Sequence, residues 1–213
     1  MHPNPIYRTM SRQENLRFAA EIGFGVFCLS DGDAPPLVAQ APFVIDEEHL
    51  ILHLVRSNPV VRALRHGGRQ ARLVVMGPHG YVSPDWYGIE DQVPTWNYVS
   101  VEVTGLLSLL EEAQMRPVLD RLSENFETRL APKPVWHSEK MNEPALERMM
   151  RAILPLKMHI ETVEGTWKLS QNKSDAVRLA ASAGMQQASI EHPGYGSDSA
   201  ALAAFMRGVR GTG

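Results

Sequence analysis

The chain has 213 residues, of which 44% are hydrophobic, and it carries a formal net charge of −3. This length and apolar content suffice for a substantial core, in one large domain or in a core domain with helical additions. The charge balance shows none of the basic surplus of a dominant nucleic-acid surface, although a local basic patch is compatible with it. No stretch approaches the roughly 20 apolar residues of a membrane span, and the N-terminus lacks the layout of a signal peptide, so we expect a cytoplasmic protein.

Apolar residues recur on one face of residues 11–22, so this stretch predicts a helix with Ser11 as its N-cap. The residues that follow predict strands joined by turns. The first two strands are expected to form a hairpin with a polar loop of five or six residues, and the almost wholly apolar third strand is expected to be buried on both faces. The predicted strands of this half cover residues 24–30, 37–45, 50–55, 71–76 and 98–110.

The second half of the chain predicts mainly helices. Asn142 caps one of them, and Pro155 is expected to stop it. A further strand is predicted over residues 158–163, and the tail, which contains the segment EHPGYGSDS, is interpreted as peripheral. Together the elements predict a mainly antiparallel β fold with added helices, in a closed barrel rather than a doubly wound sheet. The predicted helices after the first cover residues 60–65, 112–126, 142–154, 175–183 and 200–207.

Residues 76–103 hold two of the four Trp and three of the five Tyr of the chain. Pro78, Pro84 and Pro94 prevent a continuous helix here, because each removes a backbone donor and restricts the residue before it. The aromatic residues before Tyr98 are therefore expected on a structured loop between two extended segments. So much apolar area predicts that the loop covers a groove, a partner subunit or a flat ligand.

Four segments carry a resemblance to a known family: HLVRSNP from His53, GPHGYVSPDWY from Gly77, VPTWNYVSVEVTG from Val93 and GTWKLSQNK from Gly165. They resemble the PaiB family of FMN-binding negative transcriptional regulators. The resemblance implies an FMN-binding split β-barrel with peripheral helices, related in fold to pyridoxamine phosphate oxidase, and a homodimer with flavin sites at the subunit interface. It spans residues 1–178, so we expect the FMN-binding domain there and a peripheral helical tail in residues 179–213.

The turn after the third strand suits a phosphate. Arg56, Ser57 and Asn58 combine a guanidinium, a hydroxyl, an amide and free backbone N–H groups at a helix start. The resemblance places the FMN phosphate at this turn and adds His53, from the same segment, to the cofactor-binding candidates. Arg62 lies one helical turn after Asn58 and could assist, but the favoured interpretation for it is an exposed arginine on a helix. The alternative interpretation is an ordinary solvated turn at a strand end.

Aromatic and polar residues supply the other cofactor-binding candidates. Trp86, Trp96 and Tyr98, together with their neighbour Tyr87, can cover the flavin ring or pack across the dimer seam. The resemblance implies flavin contacts from the polar run after the last strand. The alternative for that run is a helix-capping loop. Its candidates are Lys168, Gln171 and Asn172.

Other chemistries find little support in the residue pattern. His49 and His53 share one strand face, but no third residue stands at metal-ligand spacing, so no metal site is expected. His79, Ser83 and Asp85 are triad residue types without the glycines of a nucleophile elbow, which favours a turn network. No Rossmann or Walker loop occurs, and no helix-turn-helix is visible, because the two central helices are separated by a long loop.

Two functions remain as hypotheses. The first is an FMN-binding negative transcriptional regulator or flavin-dependent sensor, with DNA as a possible partner for which the sequence shows no reading motif. The alternative is a flavin oxidoreductase that uses FMN with a nicotinamide or a small organic substrate, in which His79 or Tyr81 donates protons. No catalytic residue is assigned for either hypothesis.

Overall fold

The computed structural model describes residues 2–192 and 198–211. Its six strands form a closed barrel in the order β1-β2-β3-β6-β5-β4, which confirms the predicted barrel and the mainly antiparallel β class with added helices. The strands are β1 Phe24–Asp31, β2 Ala34–Asp46, β3 His49–Val55, β4 Arg69–Val82, β5 Thr95–Leu109 and β6 Ile153–Lys168. The α-helices among the described residues are α1 Arg12–Ile22, α2 Pro59–Ala63, α3 Met115–Glu127, α4 Glu143–Met150, α5 Asp175–Glu191 and α6 Ser199–Gly208.

The chain divides into two compact units. We call one the terminal unit, since it contains both chain ends, and the other the middle unit. The terminal unit comprises Met1–Asn15, Met76–Val101 and Glu164–Gly213. The middle unit comprises Leu16–Val75 and Glu102–Val163.

The hairpin of β1 and β2 is tighter than predicted. Asp31 pairs with Ala34, so only Gly32 and Asp33 connect the strands, and Gly32 takes the positive φ of +63° that the turn requires. The predicted loop of five or six residues was wrong because Pro35 and the next proline lie in β2. The pairing register shifts at this point, which leaves room for residues without a backbone donor.

Strand β3 is buried on one face only. Leu50, Leu52 and Leu54 are buried, while the residues between them are partly exposed. The prediction of burial on both faces was therefore wrong, since an apolar composition alone does not show which face meets the core. The opposite face carries His49 and His53, both half-buried.

Two strands contain a proline that the sequence analysis placed outside them. Strand β4 continues past Met76 and through Pro78 to Val82, so the long aromatic loop shrinks to residues 83–94, including the 3-10 helix Pro84–Tyr87. Strand β6 contains Pro155, paired with His53, and the preceding helix already ends at Met150. Both predictions failed because a proline is accepted in a strand wherever its missing N–H has no ladder partner to bond.

The helices after β5 form two packed groups. In the middle unit, α3 buries Met115, Val118 and Leu122 against Val44. In the terminal unit, α5 packs on α6 and on the 3-10 helix Pro84–Tyr87. The fully buried side chains of α5 and α6 are Ala181, Ser182, Met185, Leu202, Ala203 and Met206.

The two helices of the tail are therefore packed on each other, while the peripheral role of the tail and the domain boundary after residue 178 stay predictions. Residues 193–197 of the segment EHPGYGSDS lie outside the described part of the chain. No helix in the described ranges is both long enough and apolar enough to cross a membrane.

Candidate functional site

The terminal unit contains a polar cavity of about 180 Å³, which we call the lysine cavity. Strand β5 contributes residues at its start, β6 contributes its last residue, and the segment between β6 and α5 supplies the rest of the polar wall. Two buried tyrosines close it from other parts of the unit. The side chains that matter for its chemistry are Tyr7, Tyr87, Thr95, Asn97, Lys168, Ser170, Asn172 and Lys173, with Asp91 and Gln92 from the loop before β5.

Both lysines of the cavity are bonded to neutral groups. The Lys168 ammonium donates to Thr95 Oγ1 at 2.6 Å and to the Trp96 carbonyl at 2.8 Å. The Lys173 ammonium donates to the Gln92 side chain and lies 5.4 Å from the centre of the Tyr87 ring. Partial burial lowers the pKa of Lys168. Among the described residues no carboxylate forms an ion pair with either lysine, so the cavity offers two cations to a ligand.

Asn97 is a buried polar residue at the start of β5. Its Nδ2 donates to Ser170 Oγ at 2.9 Å and lies 3.5 Å from the sulfur of Met206 in α6. Its Oδ1 is buried and has no hydrogen-bond partner within residues 2–192 and 198–211. Buried side-chain acceptors are usually satisfied, so this oxygen points to a donor from water or from a ligand.

The two tyrosines of the cavity are neutral. Burial raises the pKa of Tyr7, and the nearby Tyr87 adds to the effect. Burial also raises the pKa of Tyr87, which a hydrogen bond with Ser170 partly offsets. Both phenols therefore stay protonated at physiological pH, so they can donate hydrogen bonds but do not act as bases.

Gln171 and Asn172 differ in what they offer the cavity. Gln171 is buried, its Oε1 accepts from the Leu169 N–H at 2.7 Å, and its Nε2 donates to the Trp167 carbonyl at 2.6 Å. The Gln171 amide thus clips the turn that follows β6. Asn172 is exposed and lines the cavity. Of these two predicted residues, the structure brings only Asn172 to the cavity wall.

The predicted aromatic residues separate into different surroundings. Trp86 packs against Gly184 of α5, and Tyr98 is half-buried in β5. Trp96 is 49% exposed, and its indole stacks on the His79 ring with the ring centres 5.9 Å apart. Trp96 is therefore the predicted aromatic residue that is most available to a ligand or a partner chain.

The predicted phosphate turn lies in the middle unit, where Arg56 is already engaged. Its Nη1 and Nη2 donate to the two carboxylate oxygens of Glu112 at 2.7 and 2.9 Å, and its Nε donates to the Arg151 carbonyl at 3.0 Å. The ion pair raises the pKa of Arg56 and lowers the pKa of Glu112. A phosphate at this turn would compete with Glu112 for the guanidinium.

The rest of this turn is also ordered by local bonds. Asn58 Oδ1 accepts from the Val60 N–H at 2.9 Å and so caps α2, and Arg62 donates to the Ser57 carbonyl at 2.6 Å. His53 lies in β3, where burial lowers its pKa and its Nδ1 has no hydrogen-bond partner among the residues described. In the described ranges, no three His, Cys, Asp or Glu side chains are grouped to hold a metal ion.

Several residues of the lysine cavity were missed from the sequence, among them Asn97, Ser170 and Lys173. One signal was available for Asn97. Strand β5 alternates, with Val99, Val101 and Val103 buried, and Asn97 occupies the preceding position of the same buried face. A polar residue in register with a buried apolar row predicts a buried hydrogen-bonding group.

Comparison with known proteins places these observations in a family. Residues 1–162 match the family model described as "Putative FMN-binding domain". Protease synthase and sporulation protein PAI 2 from Bacillus subtilis (strain 168) is 27% identical over 173 residues, which are 79% of this chain and 81% of the relative.

Two solved structures share the fold at lower identity. The FAD and heme binding protein from Mycobacterium smegmatis aligns with a TM-score of 0.54 and 20% identity, over 76% of this chain and 73% of that one. The flavocytochrome Anf3 from Azotobacter vinelandii aligns with a TM-score of 0.55 and 15% identity, over 78% of this chain and 72% of that one. These structures support the split-barrel fold alone, whereas the family model matches most of the chain. The chain therefore belongs to this FMN-binding family, and FMN is its cofactor.

Proposed function

We propose that this protein is an FMN-binding negative transcriptional regulator or flavin-dependent sensor whose lysine cavity receives the pyrimidine edge of the flavin. The observation that carries the proposal is the pair of ammonium groups, Lys168 and Lys173, without carboxylate partners among the described residues. The pyrimidine edge presents carbonyl oxygens, and positive charge beside it tunes the electronic state of the flavin. Bound FMN supplies a visible chromophore and a reversible redox centre.

The dimensions and residues of the cavity fit one end of FMN. Its volume of about 180 Å³ is below the roughly 300 Å³ at which pockets for whole drug-sized ligands begin, so only part of the molecule would enter. Lys168 and the neutral Tyr7 and Tyr87 provide donors for the carbonyl oxygens. Asn172 and Lys173 would hold the edge from the segment that follows β6.

The regulatory role is supported by the family resemblance and by the described lining of the lysine cavity, which shows no evident base. The lining of the lysine cavity includes no imidazole, and Asp91, its carboxylate, is exposed. The name of the B. subtilis relative refers to protease synthase and sporulation, which is in keeping with a regulatory protein. Sensing needs FMN but no strong catalytic base.

Titration of the purified apoprotein with FMN tests the proposal. We expect a perturbed visible flavin spectrum that saturates at one FMN per chain, and a mobility shift of target-promoter DNA that persists at near-physiological salt. A flat titration would refute FMN binding at the lysine cavity. A DNA shift seen only at low salt would reject direct DNA reading and leave a role through a partner protein.

The alternative function, a flavin oxidoreductase, is favoured by one observation. The exposed His79 ring stacks on the exposed Trp96, which places a titratable group beside an aromatic surface. Under anaerobic conditions, NADH or NADPH would then bleach the flavin band, and His79→Gln would slow the bleaching. Without bleaching, the oxidoreductase hypothesis loses its support.

A homodimer is part of the proposal. Large apolar side chains of the terminal unit are exposed, and surfaces of this kind usually mark interaction sites. Sedimentation at micromolar concentration should give twice the mass of the 23.7 kDa chain, and a single-chain mass would contradict the dimer. The exposed side chains include Met76, Ile89, Val93, Trp96, Leu179 and Ile190.

For the middle unit we propose that Arg56 binds the FMN phosphate. Arg56→Ala should weaken FMN binding about ten- to a hundredfold, because a charge-assisted hydrogen bond is lost. Glu112→Ala is the matched control, since it removes the partner in the ion pair but leaves the guanidinium free. FMN affinity should then be unchanged or higher.

Riboflavin, which lacks the phosphate, separates the two roles of Arg56. Its affinity should be the same for the wild type and for Arg56→Ala. An equal loss for riboflavin and FMN would mean that Arg56 acts only through the fold.

A further inference from the structure

We propose that Asn97 accepts a hydrogen bond from the N3–H of the flavin pyrimidine ring, and that Met206 of α6 is the positioning residue that orients the Asn97 amide. This inference rests on the proposed function, in which the lysine cavity receives this edge of FMN. It assigns a binding role to Asn97 and a reason for the α5–α6 segment to pack where it does.

The Asn97 side chain carries a buried acceptor without a partner among the described residues. Asn97 lines the cavity and is fully buried, yet its Oδ1 has no hydrogen-bond partner among the described residues. Leaving a buried acceptor unpaired is unfavourable, so this position favours a ligand that brings a donor. The N3–H is the donor that the pyrimidine edge carries, between two carbonyl groups that suit the ammonium of Lys168.

The groups that face Asn97 Nδ2 favour one orientation of the amide. Nδ2 faces two groups, Ser170 Oγ at 2.9 Å and the Met206 sulfur at 3.5 Å. Ser170 does not decide the orientation, because a hydroxyl can donate or accept. The thioether sulfur can only accept, so the N–H₂ side of the amide is favoured toward Met206, and the oxygen is left for the ligand.

Hydrogen bonds from α5 hold the part of α6 that carries Met206. Arg178 is 2% exposed; it donates through Nη1 to the Met206 carbonyl and through Nη2 to Asp175 at 2.7 Å. Ser182 of α5 donates to the Ala203 carbonyl at 2.8 Å. These contacts join α6 to α5 around the Met206 backbone. Because the match to the family model ends at residue 162, the residues that hold Met206 lie outside the matched part of the chain.

The test compares FMN with its N3-methyl analogue, which lacks the N3–H. Wild-type protein should bind FMN about tenfold or more tightly, since the analogue leaves Asn97 Oδ1 unpaired. Asn97→Ala should bind the two flavins with similar affinity. Met206→Leu, close in volume but without sulfur, should reduce the preference for FMN, because the amide can then turn.

Met185→Leu is the matched control. Met185 is also fully buried, in α5, and this variant should keep the preference of the wild type. Thermal unfolding of each variant reports the fold separately from the ligand preference, and the wild-type comparison needs no variant.

The possible results distinguish a failure of the proposed function from a failure of the inference about Asn97 and Met206. No binding of FMN by the wild type would refute the proposed function. Equal binding of both flavins by the wild type would overturn the inference and leave the proposed function in place. A full preference retained in Met206→Leu but lost in Asn97→Ala would overturn the positioning role alone.

Discussion

Gly105→Ala should destabilise the protein by about 3 kcal/mol or more, the upper range for overpacking a filled interior. A Cβ at this position in β5 would lie 1.8 Å from the His159 carbonyl oxygen and 2.9 Å from the carbonyl carbon, in the neighbouring strand β6. The obstructing atoms belong to the backbone, which cannot turn aside as a side chain can. Relief requires the two strands to separate, and their ladder hydrogen bonds would weaken.

Urea unfolding followed by far-UV circular dichroism measures this effect. Gly208→Ala is the control, because its Cβ would meet no atom within 4 Å at the end of α6, and its effect should stay within about 0.5 kcal/mol. If Gly105→Ala unfolded at the same urea concentration as the wild type, the close packing of Gly105 against the His159 carbonyl group would be contradicted.

Gly184→Ala should destabilise the terminal unit by about 2 to 3 kcal/mol. Its Cβ would lie 2.4 Å from Cγ and 2.7 Å from Cδ1 of the Trp86 indole. Gly184 thus leaves a notch in α5 that receives this ring. Filling the notch should lift α5 from the 3-10 helix that carries Trp86, and the change should appear in tryptophan fluorescence and near-UV circular dichroism.

A double-mutant cycle identifies the cause of the loss. Trp86→Ala alone should also destabilise, because it leaves a cavity against α5. Once the ring is gone, however, Gly184→Ala should add almost nothing, since the atoms it would strike are absent. Simple additivity of the two effects would show that the alanine acts through something other than contact with Trp86.

This packing changes the expected role of Trp86. The sequence presents Trp86 as a candidate for covering the flavin ring, but the structure places its indole against Gly184. The indole of Trp96, only ten positions later, stays half exposed and stacks on His79. The two tryptophans of the aromatic segment, one in a 3-10 helix and one in strand β5, thus have different surroundings, which their residue type does not reveal. A flavin contact remains a prediction for both.

Local patterns predicted much of the fold. The alternation of β5, the capping residues Ser11 and Asn142, and the Asn58–Pro59 helix start all correspond to hydrogen bonds or burial in the structure. These features depend on residues close in sequence, whose geometry is set by short-range sterics and hydrogen bonding. Strand ends were less predictable, because Pro35, Pro78 and Pro155 sit inside strands whose pairing tolerates them.

The candidate site shows the same division. The motifs around Arg56 and Lys168 identified groups that suit FMN, and the run GTWKLSQNK contains Ser170 and Lys173 as well. Whether each of these charged groups is available to a ligand depends on partners that are far away in the sequence. Glu112, 56 residues from Arg56, occupies its guanidinium, whereas the acceptors of Lys168 in the described part of the chain, Thr95 and Trp96, are neutral.

By itself, the amino-acid sequence determined the class of fold, because strand alternation and capping are local properties of the chain. The resemblance of its motifs to a known family further pointed to the family and its FMN cofactor. Only the tertiary structure decided that Asn97 Oδ1 has no hydrogen-bond partner among the described residues, that Asn97 Nδ2 lies beside the Met206 sulfur and that Gly184 receives Trp86. Met206 is 109 residues from Asn97. This contact arises because α6 packs beside the start of β5, and no pattern within either segment encodes it.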